Sequence, residues 1–270
     1  MIKIGIIGYG NMGQAIGERI KREYEVFAFD KIKSICSEKI TVVNNSLELV
    51  SQSEVIILAV KPQDFDILLK EIKLLVKDKL IISIAAGITT EYIRGQLGEK
   101  TRIIRVMPNL PAQVGQGVSV LFKDKFATEK DLNLAWQLLS YVGLALPIDD
   151  ENIINAVTAV SGSGPAFFCQ YIKDKVGADK KRNEFTELLS AAGTSIDLDR
   201  QFAITLAEKT IDGTIAVLIE KNLSCEELVK MVASKGGTTQ AGLDVLQSGG
   251  SVKDAVKAAK ERADELGKRR

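Results

Sequence analysis

The chain has 270 residues, 46% apolar and 26% charged, enough to bury one large core or two smaller ones. Its net charge of +1 gives no bulk electrostatic case for nucleic acid or an anionic membrane. It has no histidine, which excludes His-based catalytic triads, His-ligated zinc and imidazole acid–base chemistry. Met1-Ile2-Lys3-Ile4 leads into a strand rather than a signal peptide, and no apolar run reaches the ~18 residues of a membrane span, so the expected location is cytoplasmic. Cys36, Cys169 and Cys225 lack metal-ligand spacing and fit reduced, structural thiols; no metal is expected.

The apolar run Ile2–Ile7 reads as a strand buried on both faces. Gly8-Tyr9-Gly10-Asn11-Met12-Gly13 follows it and opens a helix over Asn11–Arg22. A G-x-G-x-x-G between strand and helix permits a tight turn, close approach of a pyrophosphate and close helix–strand packing. The helix N-terminus then offers N–H groups and a positive dipole end to phosphate. Gly8, Gly10, Asn11, Met12 and Gly13 are therefore candidate cofactor-binding residues, and the cofactor class is NADH or NADPH.

Asp30 ends the next strand, Val26–Phe29, about 20 residues beyond the glycines, where an acid accepts the adenosine ribose hydroxyls and repels a 2′-phosphate. Lys31 and Lys33 follow and could bind that phosphate, and Asp30 could instead merely cap its turn. On Asp30 the balance tips slightly to NAD(H). Further strands are expected at Val55–Val60, Leu80–Ile84, Ile103–Met107, Val118–Phe122 and Ala145–Ile148, with helices at Phe65–Val76 and Glu129–Ser140 between them. This alternation predicts an α/β fold with a doubly wound parallel sheet. Ala59, Val60, Lys61 and Pro62, then Asn109 and Pro111, end two of its strands, at the edge where such sheets bind ligands. Both stretches could equally be plain structural turns.

After Asp149 only helical patterns remain: Asn152–Tyr171, Phe185–Ala192, Arg200–Glu220, Cys225–Ala233, Thr239–Gln247 and a last helix from Ser251, with Asp254 placed for a capping box. The expected domains are 1–149, binding a dinucleotide, and 150–270, all helical. Lys173–Arg182 reads as a solvated loop or helix face. Ser161-Gly162-Ser163-Gly164-Pro165 interrupts its helix and predicts a kink or a close approach. Ser234-Lys235-Gly236-Gly237-Thr238-Thr239 is a Gly-Gly turn feeding a helix, suited to a carboxylate, unless Thr238 or Thr239 is simply an N-cap.

Taken in order, Ile6–Gly13, Ala59–Gln63, Met107–Ala112, Ser161–Ala166 and Ser234–Thr239 resemble the pyrroline-5-carboxylate reductase family over nearly the whole chain. The resemblance implies an N-terminal Rossmann domain, an all-helical C-terminal dimerisation domain interlocked with that of its mate in a homodimer, and NAD(P)H-dependent reduction of a cyclic imine to L-proline. It implies that Gly8, Gly10, Asn11, Met12 and Gly13 hold pyrophosphate, with Ala59, Val60, Lys61, Pro62, Asn109 and Pro111 beside the cofactor. Ser234, Gly236, Gly237 and Thr238 would hold the substrate carboxylate, and the Thr239 hydroxyl, as the catalytic group, would reach the ring nitrogen. Leu110 stands where the family has Thr and Lys235 where it has Pro, and an insertion of about 15 residues lies between Ile172 and Ala191, where connections are usually short. These departures keep open a reductase of a related cyclic imine or keto acid. A catalytically silent dinucleotide-binding regulator is the other alternative.

Overall fold

The computed structural model describes residues 1–174 and 177–268. Eight strands form one sheet in the order β3-β2-β1-β4-β5-β6-β7-β8: β1 Lys3–Ile7, β2 Glu25–Phe29, β3 Ile40–Val42, β4 Val55–Leu58, β5 Leu80–Ser83, β6 Arg102–Pro108, β7 Gly117–Lys123 and β8 Gly143–Ile148. The pairs from β3 through β6 are parallel. The order β3-β2-β1-β4-β5-β6 places the chain reversal between β1 and β4, and open sheets of this kind take ligands at the carboxyl ends of the strands beside that switch point. Helices α1 (Asn11–Ile20), α2 (Ser46–Gln52), α3 (Phe65–Ile72), α4 (Thr90–Leu97) and α5 (Glu129–Ser140) connect the strands. β4 and β5 are buried along their whole length, and Phe65, Leu69 and Ile72 of α3 join Ile56, Leu58 and Ile81 in one core. Each such side chain stabilises by roughly 1.5–3 kcal/mol through burial.

Three elements here have no counterpart among the expected ones. β3 is three residues long with two exposed, so it shows no apolar run. α2 and α4 are short, although their caps are local: Asn45 accepts from Glu48 N, and Thr89 from Tyr92 N.

The chain divides into two compact units, Met1–Val106 with Ser119–Asp149, and Met107–Val118 with the chain from Asp150 onward. A single cut at 149/150 therefore misplaces residues 107–118, which pack with the helices. The reason is a glycine: a Cβ on Gly213 would stand 2.4 Å from Gln116 O and 2.5 Å from Pro111 Cβ, so its absence lets this loop lie against its helix.

The second unit holds α6 (Ile154–Val157), α7 (Gly164–Ile172), α8 (Ala178–Thr194), α9 (Arg200–Glu220), α10 (Cys225–Val232), α11 (Thr238–Gln247) and α12 (Val252–Lys268). The helical stretch expected over 152–171 is interrupted where the glycines and proline cluster: a wide π turn spans Thr158–Gly162, and Ser163 N donates to Thr158 O at 2.9 Å. Pro165 has no N–H and sits in the first turn of α7, where none is needed. α8 starts before the expected Phe185, within the candidate insertion, of which residues 175 and 176 lie outside the described residues. Ser251 and Asp254 form the expected capping box of α12. Cys169 and Cys225 are both buried; burial raises the Cys169 thiol above its usual range, and the neighbouring Cys225 adds to it. Among the described residues no helix is long and apolar enough to cross a membrane.

Candidate functional site

The first unit carries a phosphate-shaped turn. Gly8 follows β1 with φ +94°, and a Cβ there would stand 2.7 Å from the Ala59 backbone. A Cβ on Gly13 would stand 2.0 Å from Gly8 O, so α1 can close onto the strand only with glycine. Gly10 differs: nothing lies within 4 Å of its Cβ position. Space filled by backbone at Gly8 and Gly13 is open at Gly10, as a cradle for a pyrophosphate requires. Gly10 caps α1 without a side chain, and the first turn carries no acid, so the dipole end and the leading N–H groups of Asn11, Met12 and Gly13 are left for an anion. Ala59 and Val60 follow β4 at the neighbouring position, with Ala59 N bonded to Ile7 O at 2.8 Å. Lys61 is exposed, and Pro62 begins a short 3₁₀ turn. These positions thus gather at the switch point of the sheet.

Asp30 takes the capping role. Its Oδ2 accepts from Tyr9 N at 2.6 Å, and its Oδ1 from Ile32 N at 2.9 Å and Lys33 N at 2.8 Å. The carboxylate that tipped the balance to NAD(H) thus also caps its own turn and braces the glycine loop. Burial alone would raise the Asp30 pKa, but the N–H groups of Lys33, Ile32 and Tyr9 and the Lys33 charge outweigh it and hold the group below its ordinary value. A lowered folded pKa contributes stability above the usual Asp range, and that contribution is lost as pH falls through the folded value. Asp30→Asn is therefore expected to lower the melting temperature at neutral pH, with the difference from wild type vanishing in strong acid. Thermal denaturation of both proteins across pH checks this; a gap that persists in acid counts against it. Lys31 and Lys33 remain exposed, and Lys33 Nζ reaches Gln14 Oε1 on α1 at 3.0 Å.

The second unit carries a different turn. Gly237 N donates to Ser234 O at 2.9 Å and Gly236 has φ +70°, the pattern of a type II turn with Lys235 and Gly236 at its centre. Gly236 occupies the position that glycine favours. Gly237, not a threonine, is the N-cap of α11, and it has no side chain to close the helix end. The first turn of α11 carries no acid. Thr238 and Thr239 therefore lie inside the helix with their hydroxyls free for other partners. Thr239 is 5% exposed, and its Oγ1 lies 3.1 Å from the Oγ of the fully buried Ser163; Thr238 Oγ1 lies 3.5 Å from the same atom. An open helix end beside anchored hydroxyls can hold a carboxylate and meet a second polar atom. Because proline pre-sets φ at this turn position, Lys235→Pro is expected to stabilise the protein by about 0.4–1 kcal/mol. The denaturant midpoint should rise at constant slope; a fall would mean that Lys235 needs a backbone angle proline lacks.

Asn109 does not present its amide to a ligand. It is 3% exposed, donates to Ser161 Oγ at 3.1 Å and accepts from Val118 N at 2.8 Å. Thr210 Oγ1 completes the cluster with a 3.1 Å bond to Ser161 Oγ. Asn109 thus fixes its own loop, and Pro111 is buried against Gly213. Ser163 is the site residue that the sequence reading missed. Its motif was visible, but the π turn shifts the helical phase and so decides which serine faces α11.

Residues 3–87 match a family model described as NADP oxidoreductase coenzyme F420-dependent, and residues 183–266 one described as pyrroline-5-carboxylate reductase dimerisation. The chain is 34% identical to the pyrroline-5-carboxylate reductase of Methanosarcina acetivorans, over 99% of this chain and 98% of that one. It is 35% identical to the enzyme of the same name from Pisum sativum, over 97% and 95% of the two chains. Among solved structures it is similar to Plasmodium falciparum pyrroline carboxylate reductase with NADP bound, with a TM-score of 0.65, 27% identity and 98% of each chain covered.

Proposed function

The chain belongs to the pyrroline-5-carboxylate reductase family, and on that premise we propose that it reduces 1-pyrroline-5-carboxylate to L-proline with NAD(P)H. The observation that carries this reading is the start of α11, an open helix end next to a threonine hydroxyl anchored on a buried serine. The reduced nicotinamide, when bound, supplies a hydride for the imine carbon. Gly8, Gly10 and the first turn of α1 hold its pyrophosphate. The turn Ser234, Gly236, Gly237 and Thr238 holds the substrate carboxylate and so sets the distance and face of the ring. With Ser163 as the donor in its 3.1 Å contact with Thr239 Oγ1, the Thr239 proton is left for the ring nitrogen as it becomes an amine. A protonated imine is already electrophilic, so the lack of histidine is no obstacle; positioning alone can lower the barrier by several kcal/mol. The match of residues 183–266 to a dimerisation model supports self-association, read here as a homodimer through the helical units.

Cofactor oxidation followed by absorbance, with 1-pyrroline-5-carboxylate and close cyclic imines, tests the reading. Turnover confined to another imine or keto acid, or cofactor binding without turnover, would reject it. NADPH is expected to be preferred over NADH, because Asp30 accepts three backbone N–H groups while the side chains of Lys31 and Lys33 are exposed at the end of β2. The double variant Lys31→Gln, Lys33→Gln should raise KM for NADPH on the order of 10-fold, the worth of a charged hydrogen bond, and leave NADH nearly unaffected. Equal losses for both cofactors would remove the lysines from the 2′ site.

A further inference from the structure

We infer that Arg262 on α12 is a positioning residue for the carboxylate-holding turn: its guanidinium fixes the Gly236 carbonyl and so sets the direction in which the first N–H groups of α11 point. Arg262 Nε donates to Gly236 O at 2.8 Å. The peptide between Gly236 and Gly237 is thus pinned at both ends, because its N–H is bonded to Ser234 O at 2.9 Å. Gly237 is also the N-cap of α11, so rotation of this peptide plane would re-aim the whole first turn.

The clamp sits on a rigid base. Val252, Ala255, Val256, Ala259 and Ala263 of α12 are buried, and a Cβ on Gly242 of α11 would stand 2.8 Å from Ala255 O, so the two helices touch closely. Arg262 Nη1 is held in turn by Glu265 Oε2 at 2.7 Å. The Gly236 Cβ position is 3.7 Å from Arg262 Nη2, which puts a permanent positive charge beside the turn that is to receive an anion. Lys235 occupies the turn position where a proline would fix φ, so this turn lacks that local restraint. Neither the glycine turn nor the threonines require an arginine from a later helix; its role follows from the hydrogen bond alone.

This inference rests on the reading that the turn binds the substrate carboxylate, and two readouts separate the two claims. Hydrogen–deuterium exchange of residues 234–240 without ligand reports the clamp itself. In R262Q that exchange is expected to rise on the order of 10-fold, since one charged hydrogen bond is lost. In steady state, KM for 1-pyrroline-5-carboxylate should rise by a similar factor, with kcat and the cofactor KM within about 2-fold of wild type. R262K, whose ammonium can still reach the carbonyl, should recover part of both effects, and it serves if R262Q fails to fold. E265Q removes the ion pair but not the carbonyl bond and should change neither readout by as much as R262Q. Wild-type exchange over 234–240 in R262Q would overturn the clamp. Raised exchange with unchanged KM would overturn its role in substrate binding. A wild-type enzyme inactive on the imine would overturn the functional reading, and exchange would still decide the clamp.

Discussion

Gly10→Asp is expected to abolish useful cofactor binding while leaving the fold intact. The position is exposed, nothing lies within 4 Å of where a Cβ would stand, and its backbone is extended at φ −72°, which aspartate adopts without strain. The new carboxylate would stand where the pyrophosphate approaches. Two unit charges about 4 Å apart in a partly screened site repel by up to about 4 kcal/mol, so Kd for NAD(P)H should rise on the order of 100-fold or more. Aspartate is also a good N-cap, so it would compete for the same N–H groups. Titration by cofactor fluorescence, with thermal denaturation of the same samples, reads both halves of the expectation. Tight binding by the variant would refute the phosphate-loop assignment. Gly13→Ala offers no such separation, because its methyl would stand 2.0 Å from Gly8 O and distort the loop before any cofactor binds.

Thr239→Ala is expected to lower kcat on the order of 10- to 100-fold and leave cofactor affinity nearly unchanged. The hydroxyl is buried, 3.1 Å from Ser163 Oγ, and a hydrogen bond to a group that changes charge during reaction is worth about 1.5–3 kcal/mol. Loss of a bond that strengthens in the transition state appears in kcat and kcat/KM together. Thr239→Val, which keeps the volume, should show the same kinetic loss and so separate the hydroxyl from packing. Equal loss of cofactor binding would move Thr239 out of the substrate site. A hydroxyl is a poor acid near neutral pH, so its role is to orient the nitrogen, with the proton of the iminium already in place.

Much of the fold was legible because its causes are local. Apolar runs marked most strands; Thr128 and Asp199 close α5 and α9 where the helical patterns begin, and Gly13 obeys a local steric demand, since a Cβ there would meet the backbone of Gly8. β3 was not legible: three residues with one buried side chain form a strand only because β2 lies beside them. The domain edge was half legible, since the loop at 107–118 joins the helices through Gly213, and nothing in the loop states this.

The sequence by itself determined the glycine loop after β1, the βαβ order and the position of the Gly-Gly turn before α11. Each depends on residue spacing and backbone freedom over one or two turns of chain. Only the tertiary structure decided which polar groups remain free. It spent Asp30 on the glycine loop and Asn109 on Ser161 and Val118, and it brought Ser163 and Arg262 to the turn at 234–239. A buried polar atom must find a partner, and that partner is chosen by packing between distant segments, which spacing along the chain does not encode.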